Sequence, residues 1–195
     1  MPDSFHAPAG RVALVVTRSH AVGGPLCRAL AADGARLAVA GPSVIEVSEI
    51  CAELGRDETP GAATALPYLM APGTDSGPRR LVAAVLDDLQ RIDALAVAAA
   101  AAVPAAALVA ETARAMVRGG RAGRIVVTGP ARLAAEVRQW ADAPRAHGIT
   151  VNLLTPGPRA TAEDLAAGAA LLLSPLAGGI TGQAIEVDGS RVPRG

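Results

Sequence analysis

Apolar residues along this chain come in short continuous runs, seldom in strict alternation with polar ones. RVALVV (11–16), RLAVA (36–40), ATALPYL (63–69), DALAVAA (93–99), RIVVT (124–128), ITVNLL (149–154) and TGQAIEV (181–187) each predict a strand. Unbroken apolarity of this kind fits strands covered on both faces, as in a parallel sheet with helices above and below. The intervening segments carry helical spacing and predict helices over Pro25 to Asp33, Val44 to Leu54, Arg79 to Gln90, Ala107 to Val117, Leu133 to Ala141 and Ala162 to Leu173. Start signals agree: Ser43 with Glu46, and Thr161 with Glu163 and Asp164, place caps and acidic charge at helix N-termini. Gly34, Gly55 and Gly119 stand where helix ends favour a left-handed residue. The pattern predicts a doubly wound, Rossmann-like α/β fold of about seven parallel strands with right-handed crossovers.

Composition narrows the picture. A chain of 195 residues that is 51% hydrophobic, with 15 Pro and 21 Gly scattered along it, fits a single domain over 1–195, with 1–10 a flexible N-terminus and 190–195 a tail. The 18 basic and 18 acidic residues balance, so no excess charge draws the chain to nucleic acid or an anionic membrane. No apolar run approaches the roughly 20 residues of a membrane span, and the expected location is the cytoplasm. All 18 basic residues are arginine, a bias that with the Ala-rich composition suggests a bacterial source. Lysine is absent.

The blocks GRVALVV, RALAADGARLAVA, RIDALAV and GRIVVTG are followed by HGITVNLLTPGPRAT and AEDLAAGAALLLSPLAGGITGQAIEVDGS. In that order they resemble the successive blocks of the classical short-chain dehydrogenases/reductases, with the acyl-carrier-protein ketoreductases nearest. HGITVN with PGP, and ITGQ with VDGS, are the most specific. The resemblance implies a dinucleotide at the carboxyl ends of the strands, a Ser-Tyr-Lys catalytic group and an oligomer.

Several positions depart from that pattern. In the phosphate loop only Gly23 stands at a family glycine; Thr17 and Ala21 occupy the other two, where a Cβ is expected to crowd a pyrophosphate or strain the backbone. Gly41 and Pro42 replace the ribose-binding residues after strand 2, Leu69 the adenine-binding aspartate, and alanines at 98–101 the Asn-Asn-Ala-Gly segment. Strand 5 runs into Gly129, Pro130 and Ala131 with no Tyr-x-x-x-Lys behind it, and the only tyrosine, Tyr68, falls in strand 3. Connections between strands 4 and 5 and after Pro156 are also short, so the expected deletions fall at the carboxyl edge of the sheet.

Candidate residues follow from these comparisons. Thr17, Ser19, His20 and Gly23 form a vestigial cofactor loop, in which Arg18 and His20 at a helix N-terminus are a possible anion site. Trp140, Gln183, Val187 and Arg191 are possible interface residues, with Arg194 also within reach of a partner. Cys27 and Cys51 read as buried free thiols, with an activated Cys27 thiolate at the start of its helix as the alternative. His147 has no other ligand at metal spacing and reads as a turn residue, so no metal is expected. Asn152, the sole asparagine, reads as strand-end hydrogen bonding and Asp188 as turn chemistry.

Together these readings predict a non-catalytic member of the resembled family, with no catalytic residues and no cofactor, acting as a homo- or hetero-oligomeric subunit alongside an intact oxidoreductase. One alternative is a non-redox cyclase, isomerase or dehydratase that takes a small molecule in the emptied cleft. The other is a divergent NAD(P)-dependent oxidoreductase.

Overall fold

A computed structural model describes residues 10–56, 65–70, 76–98 and 104–189. Seven strands, β1 (Val12–Val16), β2 (Arg36–Gly41), β3 (Ala65–Leu69), β4 (Ala94–Val97), β5 (Arg124–Thr128), β6 (Thr150–Pro156) and β7 (Ala184–Val187), form one sheet in the order β3-β2-β1-β4-β5-β6-β7. Every pairing is parallel. Six helices alternate with them: α1 (His20–Ala32), α2 (Val44–Arg56), α3 (Gly77–Leu89), α4 (Ala105–Arg118), α5 (Ala134–Arg145) and α6 (Ala162–Leu173). This is the doubly wound architecture expected from the pattern of apolar runs.

The two faces of the sheet explain why the strands are apolar throughout. Val12, Leu14 and Val16 of β1 join a core with α3, α4 and α5, whereas Ala13 and Val15 join a second core with α1, α2 and α6. Strand β4 divides the same way, Leu95 and Val97 against Ala94 and Ala96. A strand with both faces covered has no polar period to show. Small residues on the second face also let α6 settle close to the sheet, where a Cβ on Gly168 would stand 3.3 Å from Val187 and 3.5 Å from Leu154.

Helix ends differ from expectation at two prolines. Helix α1 opens at His20, five residues before Pro25, and α5 runs on to Arg145 with Pro144 inside it. A proline near either end of a helix costs few hydrogen bonds, so it marks a boundary only loosely. Gly34 takes the expected positive φ of 78°, but after α4 that role falls to Gly120, and α2 continues through Gly55. Helix α6 carries the complete capping box: Asp164 N–H donates to Thr161 Oγ1 (3.2 Å) and Thr161 N–H donates to Asp164 Oδ2 (3.0 Å).

At the amino edge, Asp93 is 5% exposed and binds two adjoining strands together. Its Oδ2 accepts from Val12 N–H (2.9 Å) and from Arg91 Nε (2.7 Å), and its Oδ1 from Arg91 Nη2 (2.6 Å). The sheet ends on β3 and β7, of which β3 carries Pro67, a residue tolerated in sheets chiefly at an edge.

Candidate functional site

The sheet's order reverses between β1 and β4, so the connections after these strands leave toward opposite faces and open a crevice at their carboxyl ends. Ligands of open α/β sheets bind there. One wall is the loop from Thr17 to Gly23. Thr17 is 1% exposed, and its side chain turns inward onto Gly23, where a Cβ would lie 2.5 Å from Thr17 Cγ2. Its hydroxyl donates to the Ser19 carbonyl (3.0 Å) and accepts from Ser19 N–H (3.3 Å), fixing the turn into α1. Neither Thr17 nor Ala21 has positive φ, so neither side chain strains the loop. The first turn of α1 has no acidic residue and no side-chain cap from Ser19. Its first amides therefore have no acceptor from the Ser19 side chain or from an acid in the first turn.

Arg18 is exposed beside this turn, but His20 is directed elsewhere. The His20 ring lies over Gly24, and its Nε2 stands 2.9 Å from Glu53 Oε2 on α2. Arg28 Nη1 is 3.7 Å from the same carboxylate. The structure thus gives Glu53 to His20 and Arg28 as a link between α1 and α2, and leaves Arg18 as the cation beside the loop.

The rest of the carboxyl edge is built mostly of backbone. A Cβ on Gly41 would come within 2.6 Å of the Thr17 carbonyl, so glycine is required for β2 to end this close to the loop. Between β5 and α5 the chain reads Gly129-Pro130-Ala131-Arg132-Leu133, with a 3₁₀ turn at Ala131–Leu133. After β6, Gly157 N–H donates to the Val187 carbonyl (2.9 Å), and Arg159 pairs with Asp188 at 2.9 Å, so the post-strand turns of β6 and β7 hold each other. Tyr68 lies on edge strand β3 and donates to Asp88 Oδ2 on α3 at 2.8 Å. Burial, reinforced by this carboxylate, pushes its pKa up. Segments 71–75 and 99–103, which include most of the 98–101 alanines, lie outside the described residues.

Other residues singled out in the sequence separate by face. Trp140 is half-buried on α5 and packs against the α3–α4–α5 core, whereas Val187 packs against the α1–α2–α6 core. Gln183 is exposed at the entry to β7, its N–H donating to Asn152 Oδ1 (3.1 Å). Asn152 is fully buried and also donates to the Ile180 carbonyl (2.7 Å), so it ties β6 to the segment leading into β7. Arg191 and Arg194 lie outside the described residues. Cys27 is buried, which pushes its thiol pKa far up, and burial brings half-buried Cys51 to about 11. Helix α1 therefore holds Cys27 as a protonated core thiol. Among the described residues no three His, Cys, Asp or Glu gather as a metal group, and no helix is long and apolar enough to cross a membrane.

Solved structures of the same fold span nearly the whole chain. A short-chain type dehydrogenase/reductase from Mycobacterium ulcerans aligns over 93% of this chain and 89% of its own at 21% identity, with a TM-score of 0.82. A putative oxidoreductase from Escherichia coli K-12 aligns over 92% and 96% at 20% identity and 0.82. A hydroxysteroid dehydrogenase from Escherichia coli aligns over 97% and 98% at 18% identity and 0.83. No protein-family model and no curated protein matches the chain by sequence. The likeness is one of fold, and the fold is that of short-chain dehydrogenases/reductases.

These matches correct the expectation that no cofactor belongs here. The fold shared with dehydrogenases and reductases is a nucleotide-cofactor fold, with its crevice at the switch between β1 and β4. The steric reason for the opposite expectation also weakens at Thr17, whose side chain fills the hollow over Gly23.

Proposed function

We propose that this chain, built on the short-chain dehydrogenase/reductase fold, is a nucleotide-binding subunit that leaves the Ser-Tyr-Lys reaction to an intact oxidoreductase with which it associates. The observation that carries this reading is the segment between β5 and α5. Gly129-Pro130-Ala131-Arg132-Leu133 contains no group able to deliver a proton near neutral pH, since a guanidinium holds its own too tightly. Tyr68, the only tyrosine, has its hydroxyl on Asp88 at the far edge of the sheet.

The residues at the phosphate end of the crevice suit a nucleotide. The amides opening α1 would hold its phosphates through hydrogen bonds and the helix dipole, with Arg18 adding positive charge at the rim. A nicotinamide nucleotide, when bound, supplies hydride chemistry. For association the chain offers the outer surface around α6 and β7, where Leu171 (52%), Leu176 (67%) and Ile180 (39%) are exposed close together in sequence. Exposed apolar side chains grouped in this way favour burial against another subunit.

Three measurements test the reading together. Calorimetry with NAD(H) and NADP(H) should show binding to the purified chain. Carbonyl-reduction assays should show no turnover by the chain alone. Affinity capture from the native source should bring down an intact oxidoreductase of this fold in stoichiometric amount. Turnover by the isolated chain would favour a divergent oxidoreductase, and recovery of the chain alone would remove the partner.

A further inference from the structure

The carboxyl edge of the sheet is unequal on the two sides of its crevice. Large apolar side chains exposed among the described residues fall in two groups: Leu171, Leu176 and Ile180 around α6 and β7, and Val44, Ile45 and Leu69 at the ends of β2 and β3. Leu69 closes β3 beside Gly41, the last residue of β2, and Val44 and Ile45 open α2 just after it. Because a Cβ on Gly41 would lie 2.6 Å from the Thr17 carbonyl, this second group adjoins the loop that leads into α1. Neighbouring strands lie about 4.8 Å apart, which sets the end of β3 about 10 Å from the end of β1. One nucleoside, from its base to its phosphates, covers that span.

The ends of β5 and β6, on the other side, offer a second ring no such seat. None of the exposed apolar side chains lies there, and the polar groups are mostly engaged within the protein. Gly129 N–H donates to the Leu154 carbonyl (2.9 Å) and Gly157 N–H to that of Val187 (2.9 Å). Thr161 uses both its N–H and its hydroxyl on Asp164, and Arg159 pairs with Asp188. Pro130, Pro156 and Pro158 have no N–H to give. The polar side chains left over at these strand ends are Thr128, Thr155 and exposed Arg132.

We infer that the crevice recognises its nucleotide by one half alone, with the base and ribose seated at Val44, Ile45 and Leu69, and that a second nucleoside adds no affinity. The ligand class is a nucleoside diphosphate, free or as one half of a dinucleotide. This inference rests on the nucleotide reading above and narrows it. Apolar contact follows the ring that finds apolar walls, and the far ring stays in water.

Calorimetry with ADP, ADP-ribose and NAD+ on the purified full chain tests it. ADP-ribose and NAD+ should bind no more than about threefold more tightly than ADP. Ile45→Asp and Leu69→Asp should each weaken ADP and NAD+ alike, by about tenfold, and leave the far-ultraviolet dichroism unchanged because both side chains are exposed. A variant combining Thr128→Val, Thr155→Val and Arg132→Gln should bind both ligands as the parent does. NAD+ binding about tenfold or more tighter than ADP would overturn the inference while leaving the nucleotide reading in place. So would a loss of NAD+ affinity but not ADP affinity in the combined variant, or ADP binding that neither aspartate disturbs. Absence of binding by all three ligands at millimolar concentration would remove the nucleotide reading itself, and this inference with it.

Discussion

Thr17 and Gly23 share one space: the Thr17 side chain lies where a Cβ of Gly23 would have to be, 2.5 Å from Cγ2 and 2.8 Å from Oγ1. Gly23→Ala should therefore destabilise the protein by about 1–3 kcal/mol through overpacking. In a Thr17→Gly background the same substitution should cost clearly less, because the colliding side chain has gone. Urea unfolding of the two single variants and the double variant measures the coupling. Strictly additive effects would show that something other than Thr17 fills the hollow.

Asn152 is buried with both ends of its amide used, giving to Ile180 O and taking from Gln183 N. Asn152→Ala strands two backbone groups at once. A loss of roughly 2–3 kcal/mol is expected in denaturant unfolding, with the slope of the transition unchanged. Hydrogen exchange at Gln183 should accelerate more than at Val127 in the centre of the sheet.

Gln90 closes α3 with φ of 65°, the one residue other than glycine at positive φ among those described. Gln90→Gly removes the steric cost of a left-handed side chain, about 1–2 kcal/mol, at the expense of one exposed bond from Nε2 to the Asp87 carbonyl. The net expectation is a gain near 1 kcal/mol, read as a rise of about 2–4 °C in melting temperature. A fall in melting temperature would mean that the side-chain bond outweighs the backbone.

Alkaline pH should weaken the fold. Burial raises the thiol pKa of Cys51 to about 11, whereas in the unfolded chain it returns to its ordinary value of roughly 8.5. Between these values the unfolded state holds fewer protons than the folded one, so the free energy of unfolding falls as pH rises. Buried Cys27 and half-buried Tyr68, both also raised, act in the same direction. Stability measured from pH 8 to 11 should decline, and Cys51→Ala should make that decline shallower. A slope that the substitution leaves unchanged would assign the loss to other groups.

The sheet and its helices were legible in the sequence because burial on both faces leaves a continuous apolar signature. Helix ends were less so: Pro25 reads as a first helical residue, yet it sits in the second turn of α1, and Pro144 falls inside the last turn of α5. At the site, sequence alone identifies a threonine in a glycine position but not its rotamer, and the rotamer decides whether it blocks the crevice. The roles of Asp93 and Glu53 were hidden for a different reason. Their partners Val12 and His20 are brought close only by the fold.

The two edges of the sheet have different prospects outside the native state. Edge strand β3 carries Pro67, which cannot donate to an added strand, whereas β7, Ala184–Val187, has no proline. Polymerisation of this protein should thus be polar, with new strands joining on the β7 side. A proline introduced at Glu186, whose N–H faces away from β6 in the parallel register, should delay the onset of aggregation in concentrated solutions more than any change along β3. Whatever covers β7 in the cell would then act as a chaperone as well as a companion.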